Sequence, residues 1–139
     1  MNPLIRNILA VVAGVIVGGF VNMAIIMLGP SLIAPPDGVN PADMESIKAH
    51  IHLYSALQLS PPFFAHALGT LVGAFITGLI AVKNRMIMAI LIGVFFLIGG
   101  IMMVIELPES PLWFSVLDLT AAYIPMGLLG GYMAIKTRK

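Results

Sequence analysis

The sequence predicts an all-α membrane protein, built as a bundle of four transmembrane helices. Four apolar stretches fill most of the 139-residue chain, and each has roughly the 20 residues that a helix needs to cross the hydrocarbon layer. Hydrophobic residues make up 60% of the chain and charged residues 9%. This composition excludes an ordinary soluble domain and leaves no basic patch for nucleic acid, so we expect no nucleic-acid partner.

The predicted spans form a single domain, residues 1–139, and run over about residues 7–29, 62–82, 86–107 and 112–135. Backbone polar groups in lipid must be paired within a segment, so the spans are helices. The first apolar run is longer than that of a cleaved signal peptide, and it ends at Gly29-Pro30 without a small-residue cleavage pattern. We therefore expect the first span to be retained.

Six of the seven lysines and arginines lie at the span ends that face one side of the membrane: Arg6, Lys83, Arg85, Lys136, Arg138 and Lys139. The acidic residues fall at or near the opposite side: Asp37, Asp43, Glu45, Glu106, Glu109 and Asp118. Basic residues are retained on the cytoplasmic side of a membrane. The asymmetry therefore predicts that both termini are cytoplasmic.

Residues 30–61 form a long extracytoplasmic connection between the first two spans. Asn40-Pro41-Ala42-Asp43 supplies an N-cap, a first-turn proline and an early acid, which predicts a helix over about residues 41–59. Apolar residues recur there at steps of three and four: Met44, Ile47, Ile51, Tyr54 and Leu57. Such a stripe suits a helix on the bilayer surface or across the outer mouth of the bundle. We expect an anchor or a lid, with His50, His52 and Tyr54 as candidate lid residues.

One polar residue from each span lies near the outer side: Asn22, His66, Glu106 and Asp118. At 1.5 Å per residue, Asn22, His66 and Asp118 lie roughly 6 to 10 Å deep, and Glu106 is slightly shallower. Ionisable groups in membranes tend to pair and to face the bundle interior or a wet cavity. We therefore predict that the four residues form a ligand-binding layer that opens outward, with His66 paired to Asp118 or Glu106.

Each residue of this layer also fits a structural role. Asn22 suits an interhelical hydrogen bond, His66 a bond to a hydroxyl group, Glu106 a solvated turn and Asp118 a buried ion pair. A zinc or iron site is a further alternative. However, His50 and His52 lie about 200° apart on a helix and could not bind one ion there, and the chain has no cysteine. Metal occupancy and cofactors stay open.

Small residues recur at four-residue steps in three spans: Gly14 and Gly18; Ala65, Gly69, Gly73 and Thr77; Gly127 and Gly131. This spacing predicts that helices approach closely there, either within the bundle or between copies in a homo-oligomer.

Similar segments open and close the second and fourth spans. Residues 60–65 match residues 110–115, and residues 81–85 match residues 134–138. The matches predict two helical-hairpin repeats that run in the same direction and are related by an axis along the membrane normal. The alternative is a chance match among apolar residues.

Residues 29–33 (Gly-Pro-Ser-Leu-Ile) and 66–74 (His-Ala-Leu-Gly-Thr-Leu-Val-Gly-Ala) resemble small four-span bacterial inner-membrane proteins of unknown function. The resemblance covers nearly the whole chain and implies a location in the bacterial inner membrane, with no activity attached. The four-span multidrug exporters fit less well, because they carry a glutamate in the middle of the first span, where this chain offers only Asn22.

The sequence leaves three functions open. The first is a module that binds or transports a small polar solute, an ion or a lipid headgroup. The second is a structural or accessory membrane subunit. The third is an intramembrane enzyme with His66 as the base and Asp118 as its orienting partner, although no nucleophile is evident. Membrane lipids are the expected partners in all three.

Overall fold

The computed structural model describes residues 2–138, and this part of the chain is 81% helix with no strand. The helices are α1 Pro3–Leu32, α2 Met44–His50, α3 Ala56–Ile80, α4 Arg85–Glu106, α5 Leu112–Ala121 and α6 Ile124–Thr137, with a 3₁₀ turn at Ile51–Leu53. Four helical segments are long and apolar enough to cross a membrane, namely α1, α3, α4 and the α5–α6 pair. The predicted fold class, a four-helix transmembrane bundle, is confirmed.

Helix α1 is longer than predicted and continues through Pro30 to Leu32. The predicted end at Gly29 is therefore wrong. Proline removes one helical hydrogen bond. The last turn of α1 nevertheless stays helical, because α3 packs directly against it. A Cβ atom built on Gly29 would lie 2.7 Å from Pro61 Cβ. The helix ends after Leu32, where the backbone N–H of Ile33 donates to the carbonyl oxygen of Gly29 at 2.8 Å.

Helix α3 begins at Ala56, six residues before the start predicted at residue 62. Ser55 and Gln58 form a capping box: Gln58 N–H donates to Ser55 Oγ at 3.3 Å, and Ser55 N–H donates to Gln58 Oε1 at 2.9 Å. Pro61 lies inside the helix and cannot donate to the carbonyl of Leu57. The hydroxyl of Ser60 donates to that carbonyl instead, at 2.7 Å. The cap and this substitute bond explain the early start.

The predicted outer helix over residues 41–59 is wrong in its length. Helix α2 ends at His50, the 3₁₀ turn follows, and the chain turns at Tyr54 and Ser55 into α3. The Ser55 capping box starts a new helix where the pattern suggested that the old one continued.

The fourth span is broken at Ala122 and Tyr123, so the single helix predicted over residues 112–135 is wrong. Pro125 explains the break, because its ring has no N–H and crowds the carbonyl of Ala121 four residues earlier. Helix α3 has no such break, and the proposed duplication of the hairpins stays a prediction.

Helix α3 lies at the centre and packs against α1, α4 and α6. Glycines make these contacts close. A Cβ atom at Gly73 would lie 2.6 Å from the carbonyl oxygen of Gly14, and one at Gly18 would lie 2.6 Å from that of Gly69. Gly127 of α6 packs in the same manner on Gly93 of α4. The glycine faces are therefore occupied within one chain, and a second copy could use them only if the helices separated.

One end of the bundle carries all the described lysines and arginines except Lys48, and we call it the basic end. There, three arginines each donate to a carbonyl at the C-terminus of α3: Arg6 Nε to Ile80 (3.0 Å), Arg85 Nε to Gly78 (2.7 Å) and Arg138 Nη1 to Leu79 (2.7 Å). The last carbonyls of a helix have no partner within the helix, and cations are favourable beside them. The acidic residues other than Asp118 lie at the opposite end, which we call the acidic end.

Candidate functional site

A buried carboxylate of α5 pairs with an imidazole of α3. Asp118 is 4% exposed, and His66 Nδ1 lies 2.8 Å from its Oδ1 atom and 3.0 Å from Oδ2. Because a carboxylate only accepts hydrogen bonds, Nδ1 carries the proton. The pair therefore links two helices across the interior of the bundle, within the part of the membrane where an unpaired carboxylate is costly.

Tyr123 completes this cluster, which we call the His–Asp–Tyr cluster (His66, Asp118 and Tyr123). The tyrosine hydroxyl donates to Asp118 Oδ2 at 2.8 Å, and its ring stacks on His66 with centroids 5.7 Å apart. The helix break at Tyr123 turns this side chain inward, where it is 2% exposed. Gly100 of α4 makes room for it, since a Cβ atom there would lie 2.6 Å from Tyr123 Cζ. Tyr123 was not predicted from the sequence, and the signal that could have indicated it is Pro125, two residues later.

The cluster leaves one nitrogen of His66 available. Nδ1 is directed to Asp118, and Nε2 has no hydrogen-bond partner among residues 2–138 although it is not sealed from the surroundings. The ring lines a cavity. Nε2 accepts a hydrogen bond when the imidazole is neutral and donates one when it is protonated. His66 can therefore present one oriented polar atom to a molecule in the cavity.

The cavity has a volume of about 210 Å³ and lies between the ends of α1 and α4, the start of α3, and α5. Helix α2 and the 3₁₀ turn cover its outer side. Most of its wall is apolar, including Ile26, Ile33, Met44, Ile51, Met103 and Phe114. Its polar lining includes Tyr54, Gln58 and Ser115 besides His66 and Asp118. The site is therefore an apolar cavity with a few polar groups.

Of the three candidate lid residues, only Tyr54 lines this cavity. Burial raises the pKa of Tyr54 above its usual value, so its hydroxyl stays protonated at neutral pH. His50 Nδ1 lies 2.8 Å from the carbonyl oxygen of Ser46 on its own helix. His52 Nδ1 lies 3.3 Å from Glu109 Oε2 in an exposed pair. Neither histidine faces the cavity.

Glu106 lies outside the cavity and pairs with Lys48 of α2, with Lys48 Nζ 3.1 Å from Glu106 Oε1. The hydrogen bond and the negative charge of Glu106 raise the pKa of Lys48 above its usual value. Both side chains are exposed, so the pair contributes little to stability. Its position nevertheless joins the cover of the cavity to the end of α4.

Asn22 lies against α3 at Gly69, about one helical turn deeper than His66. Its Oδ1 atom is buried and has no hydrogen-bond partner among the described residues. Asn22 does not line the cavity. The structure thus brings His66 and Asp118 together but places Asn22 and Glu106 elsewhere, because a depth counted along ideal helices fixes neither the exact level of a side chain nor the direction in which it points.

No group of three or more histidine, aspartate or glutamate side chains within residues 2–138 is arranged to hold a metal ion. The fold and the site define a multi-pass membrane protein with a buried His–Asp–Tyr cluster beside an apolar cavity. Comparison with known proteins finds no matching family model, curated protein or solved structure.

Proposed function

We propose that the protein is a membrane-embedded binding module that holds a small, mostly apolar molecule with one polar group. The observation that supports it is the position of His66, which lines an apolar cavity and whose Nε2 has no hydrogen-bond partner among residues 2–138, while Asp118 holds Nδ1. Binding sites of this kind combine an apolar lining with a few polar groups that fix orientation.

The size and lining of the cavity narrow the proposed ligand. An apolar cavity of roughly 150 Å³ can hold benzene, so the cavity of about 210 Å³ would admit an aromatic ring or a short branched chain with one polar substituent. A fully hydrated ion or a polar solute would find too few partners on these walls. The proposal therefore replaces the polar solute expected from the sequence with an amphipathic molecule.

The charge asymmetry supports an orientation for this module. We place the basic end in the cytoplasm, because lysine and arginine are retained on that side, and the chain in a bacterial inner membrane, as its resemblance to small four-span bacterial proteins implies. The cavity then lies near the extracytoplasmic side, beneath α2. Transport through the bundle would require the glycine contacts between α1 and α3 to separate.

Cysteine labelling tests the orientation. The chain has no cysteine of its own, and Ala42 and Thr137 are exposed at the acidic and basic ends respectively. In intact cells, an impermeant thiol reagent should label Ala42→Cys but not Thr137→Cys, and both variants should react after the membrane is permeabilised. Labelling of Thr137→Cys alone in intact cells would invert the orientation.

Nuclear magnetic resonance of the histidine rings tests the binding. We expect the Nε2 resonance of His66, in protein held in lipid nanodiscs, to shift and saturate with benzyl alcohol, benzylamine or benzoate but to respond weakly to toluene. His50 and His52 lie outside the cavity and provide internal references.

A matched pair of variants on α4 locates the effect. Val104 lines the cavity, whereas Val94 is 39% exposed and does not line it. Val104→Phe should fill the cavity and abolish the shift, while Val94→Phe should preserve it. Equal responses in both variants, or a full response to toluene, would contradict the proposed polar contact in the cavity.

One observation favours a second candidate, a structural subunit. Both oxygens of Asp118 have donors and the carboxylate is buried, as expected for a cluster that locks α3 to the fourth span. The catalytic alternative gains no such support. Ser115 lines the cavity, but within residues 2–138 no hydrogen bond joins its hydroxyl to His66, the contact by which a base activates a serine.

A further inference from the structure

A second cavity, a groove between α1 and α4, lies at the basic end. It has a volume of about 730 Å³, and its walls consist of Leu4, Ile8, Val11, Val12, Met88 and Leu91. Helix α1 packs mainly on α3, and α4 mainly on α3 and α6, so the two helices leave space between them. Val11 forms the floor, because it also packs against the buried core at Ala89 and Ile92. The upper walls are open: Leu4 is 66% and Ile8 55% exposed.

The mouth of this groove is polar, with Asn2, Asn7, Lys83 and Asn84. Asn7 holds the backbone of the α3–α4 connection there: its Nδ2 donates to the Lys83 carbonyl at 2.9 Å, and its Oδ1 accepts from Val82 N–H at 2.9 Å. The position of Lys83 is therefore fixed by the backbone, while its side chain is exposed. Within residues 2–138 its ammonium group has no ion-pair or hydrogen-bond partner.

No acidic residue lies near that ammonium group. The basic end carries Arg6, Lys83, Arg85, Lys136 and Arg138, whereas the described acidic residues lie at the other end or, for Asp118, within the bundle. All three arginines donate to backbone carbonyls of α3. Within residues 2–138, Lys83 is thus a cation without a counter-charge, located where an apolar groove meets the basic end of the bundle.

We propose that this groove binds an anionic phospholipid, with an acyl chain between α1 and α4 and the phosphate group beside Lys83. The groove runs from Asn84 to Leu91, about 10 Å along α4, and its lining changes from polar to apolar in the same direction as a phospholipid. An acyl chain matches the exposed apolar walls. A net negative headgroup matches Lys83 and the basic end, since each lysine near an anionic lipid surface favours association.

The lipid preference can be measured by native mass spectrometry. Protein would be taken from nanodiscs that contain equal amounts of phosphatidylglycerol and phosphatidylcholine with the same acyl chains, and the retained lipids would be counted. We expect the wild-type protein to retain phosphatidylglycerol preferentially. Lys83→Gln should lower that preference about fivefold, the effect of one lysine near a charged membrane surface.

Two matched controls separate the groove from the general charge of the basic end. Lys136→Gln removes a charge at the same end, but Lys136 lies over the ring of Tyr132, 4.8 Å from its centroid, and does not line the groove. Val12→Trp should fill the groove and reduce retention of both lipids. Ile16→Trp, one turn along α1 and outside the groove, should leave retention unchanged.

The results separate the possible occupants. Equal effects of Lys83→Gln and Lys136→Gln would show a diffuse basic surface and overturn the proposal. Equal retention of the two lipids by the wild-type protein would show binding without headgroup recognition, which also overturns it. If Val12→Trp changed the proportion of dimer but not the retained lipid, the groove would be an interface between copies. This test is independent of the cavity beneath α2.

Discussion

Replacement of His66 by alanine is expected to lower the free energy of unfolding by about 3 to 5 kcal/mol, because it leaves a buried carboxylate without its charged or hydrogen-bonding partner. Asp118 is 4% exposed and would keep only the hydroxyl of Tyr123. Asp118→Asn should also destabilise the protein, since it removes the charge that His66 pairs with. Unfolding of the purified protein in a defined detergent measures both effects.

The double variant shows whether the two side chains act as a unit. If they do, His66→Ala combined with Asp118→Asn should lower the free energy of unfolding by less than the sum of the single changes. In the double variant, neither position keeps a buried group that has lost its partner. Tyr123→Phe should cost about 1.5 to 3 kcal/mol through the loss of one hydrogen bond to a charged group. His52→Ala is the matched control, as His52 is 50% exposed and lies outside the bundle. Additive effects of the two single changes would contradict the cluster.

The same cycle separates the two candidate functions when it is repeated with benzyl alcohol. Strong coupling that the added alcohol leaves unchanged would support the structural lock. A shift in stability with the alcohol, lost in either single variant, would support the binding site. The two functions share the same residues, so only the response to a ligand distinguishes them.

Length and hydropathy were sufficient to predict the four spans, because a helix must satisfy its own backbone across the whole hydrocarbon layer. The helix ends were less predictable. Pro30 was expected to end α1, but packing of Gly29 on Pro61 holds one more turn. Ser55 was read as part of a continuing helix, although its side chain caps a new one. Tertiary contacts and side-chain caps determine these boundaries. Neither alters the spacing of apolar residues along the chain, so the hydrophobic pattern did not indicate them.

The sequence predicted roughly how deep the candidate site residues lie in the membrane, but not the direction in which their side chains point. His66 and Asp118 were placed at a comparable level and do meet. Asn22 and Glu106 were expected at similar levels, yet Asn22 packs on α3 about one turn deeper and Glu106 pairs with Lys48 outside the cavity. A count along a helix gives height, whereas the direction of a side chain depends on how each helix is rotated in the bundle. Tyr123 was not predicted because hydropathy alone shows one continuous apolar stretch there. Only Pro125 indicates that the helix breaks.

Gly73→Leu is expected to produce a second large loss, of about 3 kcal/mol in the free energy of unfolding. Gly73 lies at the contact of α3 with α1, where a Cβ atom would be 2.6 Å from the carbonyl oxygen of Gly14 and 3.1 Å from Ile92 Cγ2. The backbone of Gly14 cannot rotate away as a side chain could. The two helices must therefore separate, and the contact that orients the centre of the bundle is lost.

Gly19→Leu is the control for the change in residue type, because a Cβ atom at Gly19 meets nothing within 4 Å. Leucine is a better helix former than glycine by roughly 0.8 kcal/mol, so this variant should be neutral or slightly more stable. The difference between the two variants then measures the helix contact itself, without the propensity term. If Gly73→Leu unfolded at the same temperature as Gly19→Leu in the same detergent, α1 would not lie against α3 at this position. The glycine ladder would then face lipid, and the close packing that fixes α3 beside α1 would have to be abandoned.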